Sequence, residues 1–403
     1  MVTMNTSICQ KNSIENEIIG VQNDIIVVGT SHHNTLGVIR SLGYKGIKPI
    51  LLLISPDKKS YVAKSKYIKN AYYLDAEESL VSFLLGNFKN NRIKPIIIAC
   101  YDGVESVLDE SYSILCPFFL LPGSKFSGRI SYYMNKDIMT GLAKEVGFLC
   151  PESQVIDKHK NIVVDDIHFP CILKPLVSKE GSKQDIKRCY KKEDLVAYLR
   201  EDHCDRIQVQ ELIDKDYEYQ LIGVSLDEGK TVVIPGYSYV IRPSDVTNTG
   251  FLRYIPSQHL PVCLRKCKSF LENIGYTGLF SMEFIRGRDG KDYFMEINFR
   301  NDGNSICVTS SGLNLPYLYC LSQAGRNVDA ELNRVHLMKP IYVMPEFDDL
   351  ILLLKGQVGF FTWLRDFRRT DCFMEFSKKD MKPFFYGFYD FVLRAFRFLK
   401  KKV

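Results

Sequence analysis

The chain has 403 residues, 46% of them hydrophobic and 25% charged, which excludes a disordered or fibrous protein and predicts two or three domains around a substantial core. Its formal charge of +6, from 53 Lys plus Arg against 47 Asp plus Glu, argues weakly for anionic ligands and against a nucleic-acid coat. The 12 cysteines form no C-x-x-C pair, the N-terminus lacks a signal-peptide layout and no apolar run reaches the ~20 residues that span a bilayer, so free thiols in a soluble cytoplasmic protein are expected.

After a polar leader to about Asn23, the run Ile25-Ile26-Val27-Val28-Gly29 reads as a buried strand and Thr35 to Leu42 as a helix. Pro49 to Ile54 and Pro95 to Cys100 read as two more buried strands. Continuous apolar runs alternating with helices predict a parallel sheet covered on both faces, so residues 1–125 are expected to form a doubly wound α/β domain. Gly29 and Gly37 make no G-x-G-x-x-G fingerprint, and no Walker pattern occurs anywhere. His32 and His33 are expected to be a solvated loop pair. Asp102, just past the strand ending at Cys100, stands where open sheets place ligands.

From Met134 the texture changes. A helix runs to Val146, Pro151 breaks it, and Phe169 to Pro175 is a strand with Lys174 at its end. The small polar stretch Ser178 to Lys183, with Ser178, Gly181 and Ser182, joins it to a strand from Ile186 to Cys189, which together predict a hairpin flap. A helix follows from about Glu193 to Arg200. Ile207–Ile213, Glu218–Val224, Thr231–Val240, Gly278–Ile285 and Tyr293–Phe299 read as strands of an antiparallel α+β region. The segment from about His336 ends in an aromatic and basic tail, Pro383 to Val403, expected as a helix docked on the main body with weak membrane-surface contact as the alternative.

The most informative stretch runs from Leu279 to Arg300. Asp289-Gly290 is a strong two-residue hairpin signal. A turn there sets Glu283 opposite Glu296 and Ser281 opposite Asn298, with Glu283, Glu296, Asn298 and Arg300 on one face and Phe280, Met282, Phe284, Met295, Ile297 and Phe299 on the other. Directly opposed like charges weaken a sheet. A divalent cation held by both glutamates and the Asn298 amide oxygen offsets that repulsion, since hard cations take oxygen ligands; the alternative is a wet face whose pair is screened or shares a proton.

Glu283 followed by Glu296-Ile297-Asn298-Phe299-Arg300 resembles the metal-binding signature of the ATP-grasp superfamily, E then E-x-N-x-R, and the resemblance extends from about Met134 to Gln323. It implies an ATP-grasp small subdomain with a phosphate flap at 126–206, a large subdomain with the metal site at 207–335 and a C-terminal extension at 336–403, two α+β subdomains clasping ATP behind the doubly wound domain. Lys136 and Lys174 resemble the two lysines aimed at ATP phosphates, and Ser178, Gly181 and Ser182 the loop that closes over them. Gln210-Glu211-Leu212-Ile213 resembles the hinge that reads adenine, and Glu218 the acid that bonds the ribose hydroxyls. Asn301 to Ser305 and Ser310 to Pro316 resemble the substrate-side loop and helix of carboxylate-amine ligases, with the D-aspartate ligase-like branch nearest.

The resemblance implies an ADP-forming ligase that activates an acid as an acyl phosphate and joins it to an amine. ATP and Mg2+ would be its cofactors, with Mn2+ as the alternative metal, and Arg300 and Lys174 its catalytic side chains. Arg242 and Arg253 are expected to be surface arginines, with added charge for the site as the alternative. The partners implied are a small-molecule acid and amine and no nucleic acid, and a homodimer is compatible. Two other readings share the motif: a non-catalytic ATP-grasp regulatory protein, and phosphoryl transfer to a different acceptor.

Overall fold

The computed structural model describes residues 20–157, 167–175, 186–200, 206–244 and 249–400. The first unit is a parallel sheet in the order β3-β2-β1-β4, formed by β1 (Ile25–Gly29), β2 (Ile50–Ile54), β3 (Asn70–Leu74) and β4 (Ile96–Ala99). Alternation divides β1 between two cores: Ile26 and Val28 pack with Leu80 and Leu84 of α2 (Leu80–Phe88) and with Val104 and Leu108 of α3 (Asp102–Glu110). Ile25 and Val27 face Leu36 of α1 (His33–Gly43) and the rest of the molecule. The edge strand β3 is absent from the sequence reading because Asn-Ala-Tyr-Tyr-Leu is fully buried only at Leu74.

After α4 (Lys136–Glu145), a four-stranded antiparallel sheet has the order β5-β8-β6-β7: β5 (Ser153–Asp157), β6 (Cys171–Pro175), β7 (Lys187–Cys189) and β8 (Arg206–Glu211). With α5 (Lys192–Arg200) it keeps its own small core, including Ile156, Leu173, Leu195 and Val209. The expected flap residues Ser178, Gly181 and Ser182 lie outside the described residues.

The large sheet runs β14-β13-β9-β11-β12-β15-β16, with β10 added on β9. Its strands are β9 (Lys215–Leu226), β10 (Thr231–Val233), β11 (Gly236–Pro243), β12 (Gly250–Pro256), β13 (Gly278–Gly287), β14 (Asp292–Asn298), β15 (Ile341–Met344) and β16 (Cys372–Phe373). The expected single strand Thr231–Val240 is two: β10 ends before Ile234-Pro235, and Pro235 cannot donate to a ladder. One face carries α6 (Leu264–Ile274); the other meets α7 (Leu315–Gln323) and the first domain in a shared core that joins Val27, Ile222, Leu252, Leu318, Val343 and Met374.

The C-terminal extension is built into that core. It contains α8 (Glu346–Leu354), α9 (Phe360–Arg369) and α10 (Lys382–Lys400). Arg40 of α1, 1% exposed, donates to the carbonyls of Met374, Glu375 and Asp380 and to the Asp380 carboxylate at 3.2 Å. Phe384 and Phe391 of α10 stack on Phe347, with ring centroids 5.4 and 5.6 Å away.

Candidate active site

The hairpin β13–β14 pairs Glu283 with Glu296 and Ser281 with Asn298. The turn is longer than two residues, because Gly287 N–H closes on Lys291 O across Arg288-Asp289-Gly290, with Gly290 at φ +77°. That shifts the outer pairs to Phe284 with Phe294 and Ile285 with Tyr293. A β-bulge at Met295 then takes up the extra residue and restores the pairing at Glu283. The bulge corrects the expected apolar face: Phe294 is the buried residue, stacked with Phe148 and edge-on to Phe284, while Met295 is only half-buried.

Glu283 accepts hydrogen bonds from Gln220 Nε2 and Asn298 Nδ2, each 3.1 Å from Oε1. Burial, then the charge of Glu296 and that of Asp302, holds its carboxyl above the usual carboxylate range. Lys136, first residue of α4, brings Nζ to 3.8 Å from Glu296 Oε2. Asn135 caps that helix by accepting from the N–H groups of Asp137 and Ile138, which fixes where Lys136 starts. Lys174 reaches in from the small sheet and donates to Gln210 Oε1 at 2.8 Å. Burial and the neighbouring Lys136 push its ammonium pKa down, against the pull of Glu296, Glu283 and Glu218. Two lysines, one from the start of α4 and one from the small sheet, thus act on the same acid pair.

Arg300 makes a two-pronged contact with Asp102, Nε to Oδ1 at 2.9 Å and Nη2 to Oδ2 at 3.3 Å, and also donates to Asn298 Oδ1 at 3.2 Å. Asp102 comes from the end of β4 in the first domain. The same sheet edge is tied to the loop after the signature: Asn301 N–H donates to Ala99 O, and Asn34 Nδ2 donates to the carbonyls of Cys100 and Asn301. Gln220, Asn304, Asp302 and Ser281 join the network, with Asn304 Nδ2 on Gln220 Oε1 at 2.8 Å and Ser281 Oγ on Asp302 Oδ2 at 2.9 Å. No sequence motif singled out Gln220. Its register opposite Glu283 on β9 was the available signal, but it needed the strand order.

At the hinge, Glu211 N–H donates to Glu152 O and Leu212 N–H to Pro170 O. Gln210 is buried, Leu212 and Ile213 are half-buried, and Glu218 is exposed and paired with Lys215 at 2.6 Å.

Two other expectations need correction. His32 and His33 are not a solvated pair: His33 is 5% exposed with Nδ1 3.5 Å from Glu375 Oε1, and His32 caps α1 by accepting the Asn34 N–H at 3.2 Å. Burial, then His33, pushes His32 down to about 3. The cover comes from the C-terminal extension, more than 300 residues away in sequence. Arg242 is not a surface arginine: it is clamped by Asp349 on two prongs, 2.9 and 2.8 Å, and by Asp366 at 2.7 Å. Arg253 lies over the Tyr342 ring, 5.3 Å from its centroid.

Among the described residues no three His, Cys, Asp or Glu side chains converge to hold a metal by themselves. The donor set at Glu283 and Glu296 is two carboxylates and an amide, which suits a hard cation that takes its remaining ligands from phosphate or water.

No family model matches the chain. A formate-dependent phosphoribosylglycinamide formyltransferase of Bacteroides thetaiotaomicron is 24% identical over 197 residues, 46% of this chain and 50% of that protein. A D-aspartate ligase of Enterococcus faecium is 24% identical over 260 residues, 59% of this chain and 61% of that protein. The chain thus spans between half and two thirds of the length of these two relatives. Among solved structures, an L-amino acid ligase from Bacillus licheniformis superposes with a TM-score of 0.61 at 14% identity, covering 79% of this chain and 78% of that one.

Proposed function

We propose, from the ATP-grasp fold that this chain has, that it is an ADP-forming carboxylate-amine ligase that activates a small acid or amino acid as an acyl phosphate and joins it to an amine. The observation that carries the reading is Glu283 directly opposite Glu296, with Asn298 and Arg300 beside them and Lys136 and Lys174 converging from two other elements.

A carboxylate is a poor acyl donor because its leaving group would be oxide. Transfer of the ATP γ-phosphoryl group to a carboxylate oxygen, with ADP as the leaving group, supplies a better one: the neutral amine nitrogen then attacks the acyl carbon, phosphate leaves with its electron pair, and the nitrogen loses one proton to solvent. The chain's task is to hold several anions together and cancel their repulsion. In this reading Lys136 and Lys174 hold phosphate oxygens, and Arg300, steadied by Asp102, faces the transferring phosphoryl group or the substrate carboxylate. Glu283, Glu296 and Asn298 would hold Mg2+, with Mn2+ as the alternative; the ion, when bound, supplies positive charge to the phosphates. Asn298 now turns its NH2 to Glu283 and its oxygen to Arg300, so serving as an oxygen ligand beside Glu283 asks for a half-turn of the amide. The hinge N–H groups of Glu211 and Leu212 are already engaged, which leaves the adenine edge to Ile213 and to the Glu211 carbonyl, and the ribose to Glu218. Ser178, Gly181 and Ser182 would close over the phosphates.

The test is ADP release by purified protein with pools of acids and amino acids crossed against amines, with the product identified by mass. Turnover that needs both substrates, needs Mg2+ and disappears in Glu296→Ala supports the reading. ADP release without a new C–N bond in any pool overturns it.

A further inference from the structure

We propose that the C-terminal extension docks on the surface of an anionic lipid bilayer, through the end of α8, the start of α9 and the outer face of α10. The proposal does not rest on the ligase chemistry. Residues 354–403 contain 12 Lys and Arg against 5 Asp and Glu, a net +7, whereas the whole chain is +6. The net positive charge of the protein is therefore carried by its last 50 residues, and the remainder is close to neutral. Three of the five acids, Asp366, Glu375 and Asp380, are buried and turned to partners inside the fold. Glu375 and Asp380 do little to neutralise the outer surface, whereas Asp366 also pairs with Arg369 at 3.1 Å and Arg365 at 3.4 Å.

The same segment exposes large apolar side chains. Phe361 is 84% and Leu354 70% exposed at the tip between α8 and α9, next to Phe360; on α10, Phe385, Tyr386 and Tyr389 are more than half exposed. Leaving six such side chains in water, in two patches, marks an interaction surface in want of cover. The two patches belong to one module. A row of ring contacts runs from Trp363 through Phe367, Phe373 and Phe376 to Phe384 and Phe385, with centroids 4.9 to 6.2 Å apart. The other face of α10 is already spent on Phe347, while Phe385, Tyr386 and Tyr389 stay more than half exposed, with Lys64 Nζ over the Tyr386 ring at 4.8 Å.

Charge complementarity selects the occupant. Aromatic side chains interleaved with exposed cations such as Arg368 and Lys382 suit the headgroup and acyl boundary of an anionic bilayer, where rings insert and cations meet lipid phosphate. No described helix is long and apolar enough to cross a membrane, so the contact lies on the surface.

Flotation of the full chain tests this on vesicles of equal parts phosphatidylglycerol and phosphatidylcholine, on phosphatidylcholine alone, and on the anionic vesicles in about 0.5 M salt. The chain is expected to float with the anionic vesicles, to be released by salt, and to stay behind with phosphatidylcholine. Replacing both exposed rings, Phe360→Ser with Phe361→Ser, is expected to cut the bound fraction about tenfold while ADP release in vesicle-free buffer stays at the wild-type level; Arg368→Glu is expected to weaken flotation in the same direction. Equal flotation on both lipids, no flotation, or wild-type flotation by both variants overturns the proposal. So does a concentration-dependent dimer that the phenylalanine variant abolishes, or retention on single-stranded RNA in place of vesicles. Because flotation needs no turnover, a failed ligase assay leaves this result standing and the reverse also holds.

Discussion

Two clusters of charge sit inside this molecule and are resolved in opposite ways. Around Arg242, each prong of one guanidinium meets a carboxylate oxygen, at 2.7 to 2.9 Å, from two aspartates that are both nearly inaccessible. Around Glu283, two carboxylates face each other across a strand pair, and the hydrogen bonds Glu283 accepts come from the neutral amides of Gln220 and Asn298. The first cluster is complete within the chain and ties β11 to α8 and α9. The second keeps its two carboxylates opposed, with Lys136 3.8 Å from Glu296, and in the function proposed above a bound cation completes it. The contrast between charges matched at one place and opposed at another is what motivates the proposed ligand site at the second.

That contrast breaks first at Glu296. Glu296→Ala is expected to lower ADP release by at least about a thousandfold, roughly 4 kcal/mol of transition-state stabilisation, because it removes one of the two carboxylates proposed to hold the metal. Its thermal midpoint should stay level or rise, since a like-charge repulsion goes with it. An active variant, or one that melts well below the wild type, would place Glu296 in the structural class with Arg242. Asp349→Ala probes the opposite cluster and should do the reverse. It strands most of a buried guanidinium, so a loss of about 3–5 kcal/mol in urea unfolding is expected, while the variant that remains folded at low temperature keeps its affinity for Mg2+ and ATP. A cost under about 1 kcal/mol would reduce the clamp to an ordinary surface ion pair.

The acid pair was legible in the sequence and the arginine clamp was not, for a physical reason. Glu283 and Glu296 are joined by a local hairpin, where alternation and turn chemistry fix register within a dozen residues. Even there the pairing was right by compensation: a three-residue loop shifts the strands by one, and the bulge at Met295 shifts them back, so the acids meet while Phe294 and Met295 exchange their expected places. Arg242 meets Asp349 and Asp366 more than 100 residues away, and His33 meets Glu375 more than 300 away. Hydrophobic periodicity sees only the neighbourhood of a residue. Strands β12, β15 and β16, which bring these partners in, carry mixed runs without clear alternation or fall beside turns. The parallel sheet was legible because both of its faces are buried, apart from its half-buried edge strand β3.

Asp102 stands between the two classes, since it pairs fully with Arg300 yet borders the acid pair. Asp102→Asn keeps the shape but removes the charge from one side of the two-pronged contact. ADP release is expected to fall about tenfold, a little over 1 kcal/mol, mostly in kcat, with the thermal midpoint nearly unchanged. A change confined to KM for the acid would instead assign Arg300 to the substrate carboxylate in the ground state.

The smallest expected effect is a pH dependence at Glu375, where the extension covers His33. Burial pushes this carboxyl up from 4.5 to about 7, with Asp348 adding to the shift. The folded chain therefore holds the Glu375 proton to about pH 7 while the unfolded chain releases it near 4.5, so this group makes stability fall as pH rises across that window. His33 works the other way. Burial lowers its pKa below 6.5, so its contribution to stability is lost as pH falls through the range where the unfolded imidazole takes up a proton. The wild-type profile mixes the two, and the difference from Glu375→Gln isolates the carboxylate. Chemical unfolding at pH 6 and pH 7 should show the variant gaining on the wild type at the higher pH by about 1 kcal/mol, because the amide has no proton to lose. If the two profiles run parallel, the buried carboxyl is already ionised at pH 6 and matched as completely as those that clamp Arg242.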